Sequence, residues 1–188
     1  MRILMSQRDV RIPPSNFTYD ALERNWFNLL YKHQLFPVPN IGVIDETIEF
    51  DCLVLTGGPD SLARHTTEDL LFHHANKLGK PIIGVCHGAF AVNDLTGGIN
   101  GVIEGHEDTS HMINMEGGVY NVNSYHGQYI QQLGSDMISI ATDADNNIEA
   151  FKHKELPIYG IVWHPERMKH PVLPNAVKKL LEIDDEVL

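Results

Sequence analysis

The sequence predicts an α/β fold of three layers: a mostly parallel central sheet flanked by helices, with an additional antiparallel strand region in the second half. Three observations predict it. In the first half, strand-like runs alternate with helical patterns, and the runs are continuously apolar, as in strands buried on both faces. Residues 100–150 change character, to short strand-like pieces separated by turn residues such as Asp145-Asn146-Asn147. Third, the turns TGGP, CHGA and HPER each follow directly on a buried strand. In an open parallel sheet, strand exits are where a ligand sits.

The elements follow in order. Met1–Met5 reads as a short buried strand, and Ser6–Phe17, with two arginines and two prolines, as a loop. Apolar residues at 19, 22, 26, 29 and 30 predict a helix over Tyr19–Lys32. Phe36–Pro39 is a short extended piece. Phe50–Leu55 is a buried strand stopped by Thr56-Gly57-Gly58-Pro59. Glu68–Leu78 is a helix that ends at Gly79, between Lys77 and Lys80. Pro81–Val85 is the next strand, and Ala89–Leu95 a helix stopped by Gly97-Gly98. Gly118–Val122, Met137–Ala141 and Ile148–Lys152 are the strand-like pieces of the second half. Ile158–Trp163 is a further buried strand, and Ala176–Ile183 a closing helix.

The totals bound the function. A chain of 188 residues suits one domain, expected to run from residue 1 to 188. A formal net charge of −11 argues against broad binding to nucleic acid or to an anionic membrane. No apolar run is long enough to span a bilayer, and the opening MRILMSQRD has no signal-peptide pattern. Two cysteines, Cys52 and Cys86, make no disulfide framework, so a cytoplasmic location is expected.

Cys86 sits in a Gly84-x-Cys86-x-Gly88 frame between a strand and a helix. Such a turn is so tight that side chains at the flanking positions would clash, and it lifts the central residue into the cleft at a helix N-terminus. There the helix dipole favours thiolate over thiol. The backbone N–H of His87 would face the oxygen of an attacked carbonyl. The alternative for the frame alone is a tight bend with a buried filler cysteine. A thiolate acyl transfer also needs a proton donor and a group to orient it. VWHPER offers His164 at a strand exit and Glu166 two residues on, the first as base and the second as its orienting partner. LVLTGGPDS offers Gly57, whose bare backbone lets a substrate approach, and the N–H of Gly58 as a second oxyanion donor.

The ordered set TGG, GVCxG, NSYHGQ and WHPE resembles the class I glutamine amidotransferases, and within them the stand-alone γ-glutamyl hydrolases of the peptidase C26-like group. The match runs nearly end to end. The resemblance implies a flavodoxin-like layer order and a Cys86–His164–Glu166 triad. It implies an oxyanion hole at Gly58 and His87. It also places Asn123 to Gln128 beside the substrate, with Ser124, Tyr125 and His126 near the α-carboxylate of a glutamyl group. One position departs: relatives usually carry Gln or Glu four residues after the cysteine to hold the glutamyl head group, and here that residue is Phe90.

The expected function is therefore cysteine-dependent hydrolysis of the γ-glutamyl C–N bond of a small glutamine-derived metabolite, through a glutamyl thioester. A γ-glutamyl phosphoramidate or nucleotidyl amide of capsule biosynthesis is one such substrate. The alternatives are a glutaminase subunit that supplies ammonia to a separate synthetase partner, and a catalytically silent metabolite-binding relative. No nucleic acid or membrane partner is expected. His106, Glu107, Asp108 and His111 form a run of ligand-type residues, but their spacing is not HExxH. They read as a loop near the substrate end of the cleft, and no metal or other cofactor is expected. His87 reads either as a group near the thiolate or as a solvent-facing helix residue. His73 and His74 read as helix surface, and Cys52 as core. Arg8 and Arg11 read as a solvated loop, or as groups reaching a phosphate or carboxylate over the cleft.

Overall fold

A computed structural model describes residues 1–183. The parallel strands are β1 (Arg2–Ser6), β4 (Gln34–Val38), β5 (Cys52–Leu55), β6 (Ile82–Val85) and β13 (Ile158–Ile161). They lie in the order β4-β1-β5-β6-β13. The sheet continues through antiparallel strands β12 (Ile148–His153), β11 (Met137–Asp143), β8 (Thr109–Met115) and β9 (Gly118–Ser124). β10 (Gln128–Gln132) pairs with both β12 and β7 (Ile99–Val102), completing eleven strands. The predicted parallel half and antiparallel extension are both present.

The continuous apolar strands are explained by the pleat. Ile3, Met5, Cys52, Val54, Ile83 and Val85 belong to one core, packed beneath α1 (Arg24–Leu29) and α4 (Asn175–Leu180). Their neighbours Leu4, Leu53, Leu55 and Ile82 belong to the other, beneath α2 (Leu62–Lys77) and α3 (His87–Leu95). Alternate residues thus bury on opposite faces, so both parities must be apolar. No helix among the described residues is long and apolar enough to cross a membrane.

The first thirty residues depart from expectation. The stretch read as a loop contains β2 (Arg8–Arg11), which pairs with β3 (Thr18–Ala21) in a two-stranded hairpin. The helix expected over Tyr19–Lys32 is reduced to the six residues of α1. Strand pairing claims Tyr19 and Asp20, while Trp26 and Leu29 keep the helical contact with the core. Tertiary pairing overrides a weak periodicity here. α2 begins well before Glu68 because Ser61 caps it, its hydroxyl accepting from the Arg64 N–H at 3.1 Å. The His106–His111 stretch is not all loop either, since Thr109–Met115 pairs with β9 along seven residues. α4 stops at Leu180, short of the expected Ile183.

Candidate active site

The three turns singled out in the sequence meet at the ends of β5, β6 and β13. β6 lies between the other two, so their exits are adjacent. At the β6 exit, Cys86 adopts φ 51°, ψ −110°, a backbone conformation outside the ordinary wells, and its N–H donates to the Ile161 carbonyl at 2.8 Å. A Cβ at position 84 would stand 2.3 Å from the Gly88 carbonyl oxygen, and one at position 88 would stand 2.0 Å from that of Leu55. Only glycine lets α3 start this close to the strands. His87 opens α3, so its amide is one of the helix N-terminal donors with no partner inside the helix.

His164 follows β13, and the 3-10 turn Pro165–Arg167 carries Glu166. His164 Nδ1 and Glu166 Oε1 are 2.6 Å apart and both side chains are buried. Burial by itself would lower the imidazole pKa. Hydrogen bonds to the Cys86 thiol and to Glu166, with attraction to both, outweigh burial and raise it to about 9. The raised pKa favours the charged form of the imidazole, which stands beside the Cys86 side chain. The His164 ring also explains Gly57, where a Cβ would stand 2.3 Å from its Cε1.

Asn123 fixes His164 from behind. Its side-chain amide donates to the His164 carbonyl at 2.9 Å and accepts from the His164 N–H at 2.8 Å. Tyr125 packs edge-on against the His164 ring at 5.6 Å, and the Arg167 guanidinium lies over Tyr125 at 4.9 Å. Arg167 in turn pairs with Glu23 at 2.8 Å.

The TGGP turn is held by a buried network that the sequence reading missed. Arg64 donates to the carbonyls of Thr56 and Pro59, the latter at 3.1 Å, and its Nε donates to Glu68 Oε1 at 2.9 Å. Ser6 donates to the same Glu68 oxygen at 2.6 Å, and His87 Nε2 meets the other at 2.9 Å. Burial alone would raise the Glu68 carboxyl; the hydrogen bond from His87 and the charge of Arg64 outweigh it and hold it below its ordinary value. His87 is accordingly tied inward to Glu68 and is not a solvent-facing residue. The signal for this network was the Arg64/Glu68 spacing of four on α2. Spacing alone reads as an exposed ion pair, and nothing local reveals that both residues are buried.

Gly58, Cys86, His87, Phe90, Tyr125 and His126 line one pocket of about 240 Å³, with Asp60, His65 and Asp94 among its other walls. Of the residues expected near a substrate, Phe90, Tyr125 and His126 are in that lining. Gly57 lies under His164, and Ser124 is fully buried, its hydroxyl donating to the His106 carbonyl. Arg8 pairs with Glu23 at 3.6 Å and Arg11 lies on the hairpin, so neither is part of the lining. His73 is exposed as expected, whereas His74 is tucked against Phe50, ring centroids 5.8 Å apart. Cys52 is fully buried and its thiol pKa is pushed up to about 12 by burial.

The arrangement brings a thiol at a sharp elbow beside an imidazole oriented by a carboxylate, with Gly58 and His87 in the lining of the same pocket. These are the parts of an acyl-transfer site. Comparison with known proteins gives the family. The family model for glutamine amidotransferase class-I matches residues 17–182. A γ-glutamyl-CDP-amidate hydrolase from Campylobacter jejuni is 36% identical over 87 residues, which is 46% of this chain and only 43% of that protein. A glutamine-hydrolyzing GMP synthase subunit from Methanospirillum hungatei is 31% identical over 150 residues, covering 69% of this chain and 71% of that one. Among solved structures, a GMP synthase subunit from Thermoplasma acidophilum superposes with a TM-score of 0.73 at 20% identity. It covers 96% of this chain and 92% of its own.

Proposed function

Since the chain belongs to the class-I glutamine amidotransferase family, we propose that it is a cysteine-dependent hydrolase of the γ-glutamyl C–N bond in a small glutamine-derived metabolite. The observation that carries the reading is the elbow. Cys86 is held at φ 51° with its thiol against His164, whose ring is fixed by Glu166 at 2.6 Å.

The thiolate attacks the γ-carbonyl carbon, and the carbonyl electron pair moves to an oxygen that accepts from the N–H groups of Gly58 and His87. Collapse breaks the C–N bond while His164 gives its proton to the departing nitrogen. A glutamyl thioester remains on Cys86. Water then attacks it, its proton passing to His164, and collapse releases glutamate and restores the thiolate. Glu166 keeps the imidazole oriented and stabilises its charged form throughout.

Phe90 points to a substrate read differently from glutamine. It is buried at the pocket wall and carries no acceptor for an ammonium group. Asp94 lies one helical turn further along α3, in the same lining, and we assign it the glutamyl ammonium. A leaving amine that bears phosphate is the favoured case, supported by the name of the Campylobacter jejuni relative. The second reading is a glutaminase subunit that passes ammonia to a separate synthetase, and the GMP synthase relatives favour it.

The test has two parts. A glutamine-analogue alkylator should label the wild type and not Cys86→Ala; absence of labelling would favour a catalytically silent binding protein. A panel of γ-glutamyl phosphoramidates and γ-glutamyl amines, run beside glutamine, then separates the two active readings. Turnover of glutamine alone, rising when a synthetase is added, would replace the hydrolase reading with the glutaminase one.

A further inference from the structure

Behind the His126 wall of the pocket, four side chains from four separate segments converge. They are His106 before β8, His111 on β8, His126 between β9 and β10, and Glu149 on β12. Glu149 Oε1 lies 3.3 Å from His111 Nε2, 3.8 Å from His126 Nε2 and 3.9 Å from His106 Nδ1. One ligand atom each from His106, His111 and Glu149 falls within 4.8 Å of the others.

These groups do not satisfy one another. His106 Nδ1, His111 Nε2, His126 Nε2 and Glu149 Oε2 are all buried without a hydrogen-bond partner. They make up half of the eight such side-chain atoms among the described residues, so the deficit is concentrated at this one point. Natural proteins rarely leave buried polar atoms unpaired, and a cluster of them calls for a missing partner. His126 is the most telling. Its Nδ1–H donates to the Gln128 carbonyl at 2.7 Å, which leaves the neutral ring only an Nε2 lone pair to present. That lone pair faces a carboxylate whose side chain is 1% exposed. A lone pair against a buried carboxylate is repulsive unless a proton or a metal ion stands between them.

We propose that His106, His111, His126 and Glu149 form a binding site for one divalent transition-metal ion of the zinc class. The donor set is three imidazole nitrogens and one carboxylate oxygen, which suits zinc and its neighbours, whereas calcium and magnesium select oxygen ligands. Tetrahedral zinc would hold its ligand atoms about 3.3 Å apart; His106, His111 and Glu149 already offer atoms within 4.8 Å of one another, and His126 Nε2, 3.8 Å from Glu149 Oε1, turns in as the fourth ligand. The surrounding shell is in place. Gln128 O fixes the His126 tautomer. Asp143 Oδ2 lies 3.9 Å from the far nitrogen of His106, and Asp143 is itself held by Asn147 and the Asp145 N–H. Four protein ligands leave no open position, so the ion is a clamp that ties β8, β12 and the His126 wall together. The sequence expectation of no metal considered the run His106 to His111 alone. Glu107 and Asp108 of that run are not in the cluster, and its other two members come from fifteen and thirty-eight residues beyond His111.

The test uses the untagged full chain, stripped with a chelator and then supplied with zinc or cobalt. Metal content should reach one ion per chain, and the cobalt form should show tetrahedral d–d absorption without a thiolate charge-transfer band. Uptake should survive Cys86→Ser. His111→Ala and Glu149→Gln should each weaken binding by about 100-fold or more. Zinc-edge absorption of the wild type, which needs no variant to fold, should show only nitrogen and oxygen neighbours at about 2.0–2.2 Å. Substoichiometric uptake, loss of uptake in Cys86→Ser, full uptake by both ligand variants, or a sulfur neighbour would each overturn the proposal.

Discussion

Two buried histidine–glutamate clusters flank the same pocket. On the side of the TGGP turn, Glu68 accepts from Ser6, Arg64 and His87, and both of its oxygens are satisfied. On the His126 side, Glu149 faces three imidazoles, yet one of its oxygens and one nitrogen on each ring lack a partner. Both place a carboxylate out of water, which is costly unless hydrogen bonds or a cation compensate. The first cluster contains its own cation, the Arg64 guanidinium. The second contains none of fixed charge. The difference separates a network that is complete as folded and holds the TGGP turn from one that still lacks partners, which the proposed ion would supply.

The comparison can be broken or sharpened by experiment. Both clusters are read as structural supports around the pocket, so removing the proposed nucleophile must do the most damage. Cys86→Ser is expected to lower kcat by about 10³-fold or more on any substrate the wild type turns over. A variant of either cluster that matched this loss with its fold intact would show that the cluster does chemistry.

Glu68→Ala should lower stability by about 3–5 kcal/mol in chemical denaturation, because it leaves the Arg64 charge buried and uncompensated. That loss should be the same with zinc or with chelator. Glu149→Gln should cost the metal-free protein less than about 1 kcal/mol while cutting the stabilisation that zinc gives the wild type by about 2–3 kcal/mol at saturating zinc. If both variants responded alike to chelator, the distinction between the clusters would fail.

Acid and alkali should separate the supports as well. The folded His164 pKa of about 9 lies above its ordinary 6.5. Its contribution to stability is therefore complete below about 6.5 and is lost as pH rises through about 9, an effect on the order of 1–3 kcal/mol. The Glu68 carboxyl is held below its ordinary value, so its contribution is present at neutral pH and is lost as pH falls through the folded value. Denaturation curves from pH 6 to 10 should slope downward in the wild type and flatten in His164→Gln. An unchanged slope in that variant would remove His164 from the account.

The smallest effect belongs to the acidic residue in the pocket lining. Asp94→Asn is expected to raise KM by about 10-fold with little change in kcat, as for an ammonium contact made equally in ground and transition states. An unchanged KM would leave the amine to be read elsewhere in the pocket.

Much of the candidate site was legible in the sequence. Gly84 and Gly88 around Cys86, Gly57 and Gly58 after β5, and His164 with Glu166 after β13 all mark places where the backbone must turn or approach closely. Those demands are local, and residue type records them. The hairpin at Arg8–Ala21 was not legible, because its pairing is sustained by register across a turn and little by hydrophobic period. Arg64 and Glu68 were not legible as buried groups, since a spacing of four on a helix is equally common on the surface.

By itself, then, the sequence determined the parallel α/β frame, the three strand exits and the cysteine, histidine and carboxylate they carry. The tertiary structure alone decided that Arg64, Glu68 and His87 would lock the TGGP turn. It alone brought His106, His111, His126 and Glu149 to one point. The reason is physical. A close backbone approach forbids a side chain at one numbered position and so leaves a trace there. Convergence across an antiparallel sheet depends on registers such as Ala141 opposite both Met115 and Ala150, set by pairings that reach across intervening turns and in some cases bulged. A one-residue slip would turn every side chain to the other face, and no short stretch of sequence records which register wins.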